Sequence, residues 1–363
     1  MINNLHGNIL IDNSFIEAEI EFADRIHSIK KIGPPKTDLK NIIPGFIDLH
    51  VHGGGGADVM ECGSAIEVMA RTHAKFGTTS FLATTMTAPY EDLEKSFIAM
   101  KNRFLSRGTK EARLLGVHLE GPFISAEKLG AQPSFIREAT LKEITKLHNL
   151  LPIKTLTIAP EVFNHLDIIQ DLIDLNIVVQ IGHSNGSYED GVKALNLGAK
   201  SFTHLFNAMS SFHHRAPGMA GAALAHADYA ELIPDLLHVH PGAIKAALRS
   251  IPNLYFVTDA TAATGMPDGD YKLGTHTVHK CLGGVRLEDG TLAGSALTMD
   301  QAFRNLVNLG LSIPEASKRL SQIPANLIGV NDRGVINVQH YADLLVFNDE
   351  LILEKIYLEG ELI

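Results

Sequence analysis

The sequence has 363 residues, 45% of them hydrophobic and 20% charged, with a formal net charge of −10. That composition belongs to a folded chain with a sizeable core, and the acidic balance argues against a broad surface for nucleic acid. Two cysteines, Cys62 and Cys281, exclude a disulfide framework and a CxxC metal knuckle, whereas 18 histidines are a surplus of the commonest metal ligand.

Residues 1–10 show no basic stretch followed by an apolar run, and no apolar segment approaches bilayer length. The expectation is a cytoplasmic protein with no membrane contact. From Asn8 to Ile32 the pattern is strand-like, with Ile16, Ala18, Ile20 and Phe22 alternating with Glu17, Glu19 and Glu21, until Gly33-Pro34-Pro35 breaks it. Beyond Ile42 short apolar runs alternate with amphipathic stretches of helical length. Strands are predicted at 42–51, 78–84, 114–119, 154–159, 177–181, 201–205, 231–237 and 254–258, the seventh weakened by Pro234. Helices are predicted at 65–76, 90–106, 140–150, 164–175 and 187–197. Alternation of this kind builds parallel sheets, and about eight strands fit a closed (β/α)₈ TIM-type barrel. After Gly334 short strands return at 342–347 and 354–358. Residues 1–42 and 331–363 are expected to pair into one small β-domain beside a barrel of residues 43–330.

The chemistry gathers where strand candidates end. In Pro44-Gly-Phe-Ile-Asp48-Leu-His50-Val-His52, residues two apart face one side, so His50 and His52 point together into a glycine loop, Gly53 to Gly56. That loop is no phosphate cradle, because no GxxxxGK[ST] follows. Glu120 ends the run Gly116-Val-His118-Leu-Glu120-Gly-Pro and, if buried, needs a cation; His118 on the same face reads as an interior histidine rather than a ligand. His183, His204 and Asp259 end three further strand candidates. A barrel brings such ends into one mouth. Four histidines and two acids suit one or two first-row divalent ions, Zn²⁺ or Fe²⁺ rather than Mg²⁺.

The opening PGFIDLHVHG resembles the signature of the amidohydrolase superfamily. The set GVHLEGPFIS, IGHSNGSY, THLFNAMSS, VTDATAATG and GTLAGSALTMD, running in order from Pro44 to Met299, is similar to the N-acetylglucosamine-6-phosphate deacetylases. The resemblance implies a (β/α)₈ barrel with a small β-domain from both termini, and hydrolysis of the acetamide of N-acetylglucosamine 6-phosphate to glucosamine 6-phosphate and acetate. It implies Glu120, His183 and His204 as main metal ligands; His50 and His52 resemble the pair that completes a second site in those members that bind two metals rather than one, with Glu120 as the bridge. It implies Asp259 as catalytic acid/base, Asn207 and Ala208 as backbone donors to the substrate phosphate, and His238 as partner of a sugar hydroxyl. It also implies a homodimer in which Arg215 reaches the neighbouring subunit's phosphate.

Two positions depart from the family pattern. A histidine of a Lys-Gly-x-His stretch, which polarises the amide carbonyl, is replaced here by Gln132 in Leu129-Gly130-Ala131-Gln132. An Ala-Asp-Gly-x-His stretch is Pro234-Asp235-Leu236-Leu237-His238, so Leu236 is expected to add bulk beside the sugar. Gln132 can still donate a hydrogen bond as a catalytic residue. The alternatives are an amidohydrolase for another N-acyl amino sugar or a cyclic amide, and a sugar-phosphate-binding homologue with weakened catalysis.

Overall fold

The computed structural model describes residues 2–363. Six parallel strands lie side by side in chain order: Phe46–Val51, Thr78–Thr85, Arg113–Glu120, Ile153–Ile158, Val178–Ile181 and Ser201–Phe202. A parallel pair, Tyr229–Leu232 and Asn253–Phe256, completes eight. Irregular contacts close the ring. The Leu205 amide donates to the Glu231 carbonyl (2.8 Å), and the Asp259 amide donates to the His50 carbonyl (3.0 Å). The seventh strand stops at Leu232, before the proline that weakened its pattern.

The first barrel strand shows how sequence places function. Phe46 to Val51 is buried throughout, as parallel strands covered on both faces are. Ile47, Leu49 and Val51 enter the main hydrophobic core, so the alternate set, Asp48 and His50, faces the barrel interior. Gly45 joins this strand to the terminal sheet where a Cβ would lie 2.2 Å from Thr79 Oγ1, so only glycine fits the approach.

The helices follow their apolar stripes and caps. Leu93, Phe97 and Met100 form the buried face of Tyr90–Leu105. Ser187 and Asp190 make a capping box at the start of Tyr188–Asn196. The helix expected at 164–175 is shorter, Ile169–Asp174, because the segment before it is a series of turns. A four-stranded antiparallel sheet, Gly269 to Ser295, interrupts the strand–helix alternation and was not expected. No helix among the described residues is long and apolar enough to cross a membrane.

Both chain ends contribute to one seven-stranded sheet, in the order Glu361–Leu362, Leu353–Leu358, Leu344–Phe347, Asn41–Pro44, Asn3–Ile11, Ser14–Phe22, Ile26–Gly33. Ala18, Ile20 and Phe22 are buried in its own core, as their alternation requires. Glu17 breaks the pattern: it is buried, held by Lys36 Nζ (2.9 Å) and His6 Nε2 (3.2 Å). Glu359 clasps this sheet to the barrel. It pairs bidentately with Arg113 of the third barrel strand (2.7 and 2.8 Å) and with Arg107 (3.2 Å) and Arg333 (3.0 Å). Arg333 also reaches Ser80 of the second strand (2.8 Å).

Burial alone would raise the Glu359 carboxyl, but the Arg113 hydrogen bonds and the Arg333 charge bring it from an ordinary 4.5 down to about 2. A depressed carboxylate stabilises the fold fully above its ordinary value, and the contribution is lost as pH falls toward the folded one. Glu359→Gln is therefore expected to cost about 2 kcal/mol near neutrality. The difference from the parent in urea midpoints should narrow below pH 4.5 and vanish near about 2; a pH-independent difference would contradict the clasp.

Candidate active site

Six ligand-type side chains meet at the C-terminal mouth of the barrel. His50 and His52 leave the first strand and Glu120 ends the third. His183, His204 and Asp259 lie just past the fifth, sixth and eighth. These last three adopt left-handed backbone conformations (φ 47°, 28° and 52°), as does Ala208 (φ 48°). Non-glycine residues are held there at a cost, of order 1 kcal/mol or more each, and such strain collects at functional sites.

The side chains form two groups, His50/His52/Asp259 and Glu120/His183/His204, each with ligand atoms within 4.8 Å of one another. Glu120 joins them. Its Oε1 lies 3.1 Å from His183 Nε2 and 3.0 Å from His204 Nε2, and its Oε2 lies 3.1 Å from His52 Nε2 and 3.4 Å from His50 Nε2. Asp259 Oδ1 is 3.4 Å from both His50 and His52 Nε2. Burial would raise Glu120, but the His50 charge and the bonds from His183 and His204 hold it well below the carboxylate range. Burial would likewise raise Asp259, which His50 and His52 keep below its ordinary value.

The outer ring nitrogens show what the inner ones are for. His52 Nδ1 is 3.0 Å from the Thr84 carbonyl and His183 Nδ1 is 2.8 Å from the Lys128 carbonyl. A carbonyl only accepts, so each Nδ1 donates and each Nε2 can offer a lone pair inward. Yet the Nε2 atoms meet in pairs, His50 with His52 at 3.1 Å and His183 with His204 at 3.0 Å. His50 Nδ1 faces the Glu231 carboxylate as well, so between His50 and His52 two lone pairs meet, and that close they call for a cation between them. Burial would lower His52, but hydrogen bonds to Asp259 and Glu120 raise it to about 9, the direction in which a positive charge is favoured at this point. The residues present fit one or two divalent ions bound by nitrogen and carboxylate oxygen.

Behind these ligands lies a further layer. Gln132 Oε1 accepts from the Thr87 amide (2.7 Å), which turns its Nε2 onto Glu120 Oε2 (2.7 Å). Its identity was legible, but this contact with a ligand was not. Glu231, absent from the sequence candidates, accepts from His50 Nδ1 (2.7 Å); an acid inside the apolar run Ala230–Ile233 was the available signal. Asp48, pushed up to about 7 by burial against the bonds from Thr258, takes the Thr258 hydroxyl at 2.6 Å and ties the eighth strand to the first. His118 is the interior histidine expected: Nε2 meets Thr157 Oγ1 at 2.7 Å, and burial together with the His50 charge lowers it to about 3.

A cavity of about 250 Å³ opens beside the cluster, lined by Gln132, Asn207, Ala208 and His238 and roofed by Leu273 and Leu292 of the unexpected sheet. His238 Nδ1 is fixed by Asp235 Oδ2 (2.7 Å). A larger cleft of about 500 Å³ near Lys31 and Ser317 holds none of these groups. Arg215 is exposed, does not line its own chain's cavity, and lies 2.8 Å from His214 Nε2. Leu236 does not line the cavity either, so the expected bulk beside the sugar is not found there; it costs backbone instead, at φ 65°.

The amidohydrolase family model matches residues 41–362. The chain belongs to the amidohydrolase family. Within it, this amidohydrolase stands with the N-acetylglucosamine-6-phosphate deacetylases. It is 38% identical to the one of Lysinibacillus sphaericus, over 94% of this chain and 90% of that protein. It is 35% identical to an N-acetylgalactosamine-6-phosphate deacetylase of Escherichia coli O157:H7, over 90% of this chain and 89% of that protein. The crystal structure of the Pasteurella multocida N-acetylglucosamine-6-phosphate deacetylase superposes with a TM-score of 0.92 at 31% identity, covering 100% of both chains. That of Thermotoga maritima gives 0.90 at 34%, covering 100% of this chain and 99% of the other.

A leucine in the left-handed region is strained by about 1–2 kcal/mol relative to glycine, partly offset by glycine's greater freedom when unfolded. Leu236→Gly in this amidohydrolase is therefore expected to raise the melting temperature slightly and leave KM unchanged. A changed KM with unchanged stability would show that Leu236 acts on the substrate after all.

Proposed function

We infer that this amidohydrolase hydrolyses the acetamide of N-acetylglucosamine 6-phosphate, giving glucosamine 6-phosphate and acetate. The observation that carries this is the joined pair of ligand groups with Asp259 at the barrel mouth, opening on a cavity of about 250 Å³, in a chain whose relatives bear that name. The resident cofactor is a divalent metal; the nitrogen-rich set favours Zn²⁺ or Fe²⁺, and the two groups favour two ions. His50, His52 and Asp259 would hold one ion and Glu120, His183 and His204 the other, and the metal would supply Lewis acidity and lower the pKa of a water toward neutrality.

The remaining steps belong to the side chains. Asp259, kept ionised, takes a proton from the attacking water and returns it to the sugar nitrogen as the C–N bond breaks, so the leaving group departs as an amine. Gln132 spends one amide hydrogen on Glu120, and we assign the other to the acetamide oxygen. His238, oriented by Asp235, is placed for a sugar hydroxyl, and the Asn207 and Ala208 amides for the phosphate. The presence of an N-acetylgalactosamine-6-phosphate deacetylase among the relatives favours a second reading, the galactose epimer.

With a net charge of −10, phosphate capture has to be local. Arg215 is the candidate, and because it stands outside its own cavity we propose a homodimer in which it completes the neighbour's site; a planar guanidinium pairs with two phosphate oxygens at once. Two unpaired cysteines suit a reducing compartment, and we place the enzyme in the cytoplasm.

The deciding assay is acetate release from both 6-phosphate epimers, before and after chelation and metal add-back. Release should require metal. Asp259→Asn should lose about 10²–10⁴ of turnover while the Glu120/His183/His204 group keeps its metal. Near-normal turnover of that variant, or metal-independent release, would refute the mechanism.

Sharing across the interface is tested by mixing inactive Asp259→Asn and Arg215→Ala subunits under exchange. Mixed dimers should regain activity at the one site that has both its own Asp259 and its neighbour's Arg215. Proven mixed dimers without recovery would return Arg215 to its own subunit or remove it from the site.

A further inference from the structure

We propose that Glu231 is the positioning residue that commits His50 to its metal-binding tautomer and couples the two ligand groups. The proposal rests on the two-ion reading of the centre.

The four histidines are not held alike. His52 and His183 donate from Nδ1 to main-chain carbonyls, locks that no side-chain change removes. His50 donates from Nδ1 to Glu231 Oε1 at 2.7 Å, a lock made of a side chain. Among the described residues His204 Nδ1 has no partner; instead the His204 backbone amide donates to the same Glu231 oxygen at 3.0 Å. One carboxylate oxygen thus holds one histidine of each group, His50 through its ring and His204 through its main chain. The second oxygen accepts from Tyr255 (3.1 Å) and Gln180 (3.2 Å), so all of the carboxylate's lone-pair sites are used.

An imidazole that keeps its proton on Nδ1 presents a lone pair at Nε2; without an acceptor behind it, the proton is free to move to Nε2 and block the ligand position. A fully buried acid in a barrel strand is hard to explain by packing, since an apolar side chain of similar volume would close the ring at lower cost. Acceptance of the His50 and His204 hydrogens is what an apolar residue cannot supply. Loss of such an outer partner elsewhere weakens metal affinity by about 10–100-fold.

The test counts zinc equivalents and affinities by chelator competition in wild type, Glu231→Leu, Glu231→Gln and Tyr255→Phe. Wild type should bind two equivalents. Glu231→Leu should lose about 10–100-fold affinity for one of them, and Glu231→Gln should recover most of it, because its amide oxygen can face His50 and His204. Tyr255→Phe perturbs the same network at the far oxygen and should keep both. Two equivalents at unchanged affinity in Glu231→Leu would overturn the role of Glu231, and equal loss in Tyr255→Phe would reduce it to general support of the fold. A single equivalent in wild type would instead overturn the two-ion reading. Should the leucine variant not fold, nitrogen NMR of histidine-labelled, zinc-loaded wild type decides: His50 should carry its proton on Nδ1 with Nε2 on the metal, and the reverse assignment refutes the proposal.

Discussion

Glu120 lies within 3.4 Å of four imidazole nitrogens while almost wholly excluded from water. A carboxylate so placed is tolerable only beside positive charge, and the imidazoles around it can accept that charge as protons or as metal. Much of the upper barrel can be understood as holding this arrangement against its own repulsions. The strained backbones of His183, His204 and Asp259 bring ligands from three strands to one point. The irregular closure between the eighth and first strands runs through Asp48, His50, His52 and Gly53 on one side and Thr258 to Ala260 on the other.

The restraint is graded in kind. The carbonyls behind His52 and His183 are main chain, from Thr84 of the second strand and Lys128 of the loop after the third, and no substitution removes them. The partners behind His50 and Glu120 are side chains, which a substitution can replace. That division leaves room for a glutamine at 132, where the family pattern has a histidine. The glutamine is anchored on Thr87 and turned toward Glu120, so the substitution keeps the cluster tied to the cavity wall.

Much of this was readable from residue order, and the boundary is physical. The strands were visible because apolar runs are local, and the histidines and acids near their ends follow from them, although the sixth, seventh and eighth strands stop short of the expected ends, at Phe202, Leu232 and Phe256. The barrel pattern was visible because eight apolar runs with helical spacers admit few other closures. Contacts between distant segments were not. Glu231 looked like one acid in a proline-interrupted strand, since nothing near it in sequence announces His50, 181 positions away. Gln132 was singled out, but the direction of its amide depends on Thr87, on another loop. The roof from Gly269 to Ser295 was missed because its strands are short, polar and exposed on one side, as in His276–Cys281. Leu236 was expected to crowd a ligand; its side chain points elsewhere, and only the backbone angle registers the missing glycine.

The terminal sheet has a consequence for synthesis. Asn41–Pro44 pairs on one side with the early strand Asn3–Ile11 and on the other with Leu344–Phe347, where Leu344 meets Pro44, 300 positions earlier in the chain. At about 5–20 residues per second a ribosome needs roughly 15–60 s to span that interval. Throughout it the Ile42–Ile43 edge waits open, one glycine away from the first barrel strand, in the state that invites pairing with other chains. Translation that stalls before Leu344 leaves that edge unsealed and Arg113 without its acid partner, so an incomplete product carries its own mark of incompleteness for chaperones and proteases to recognise.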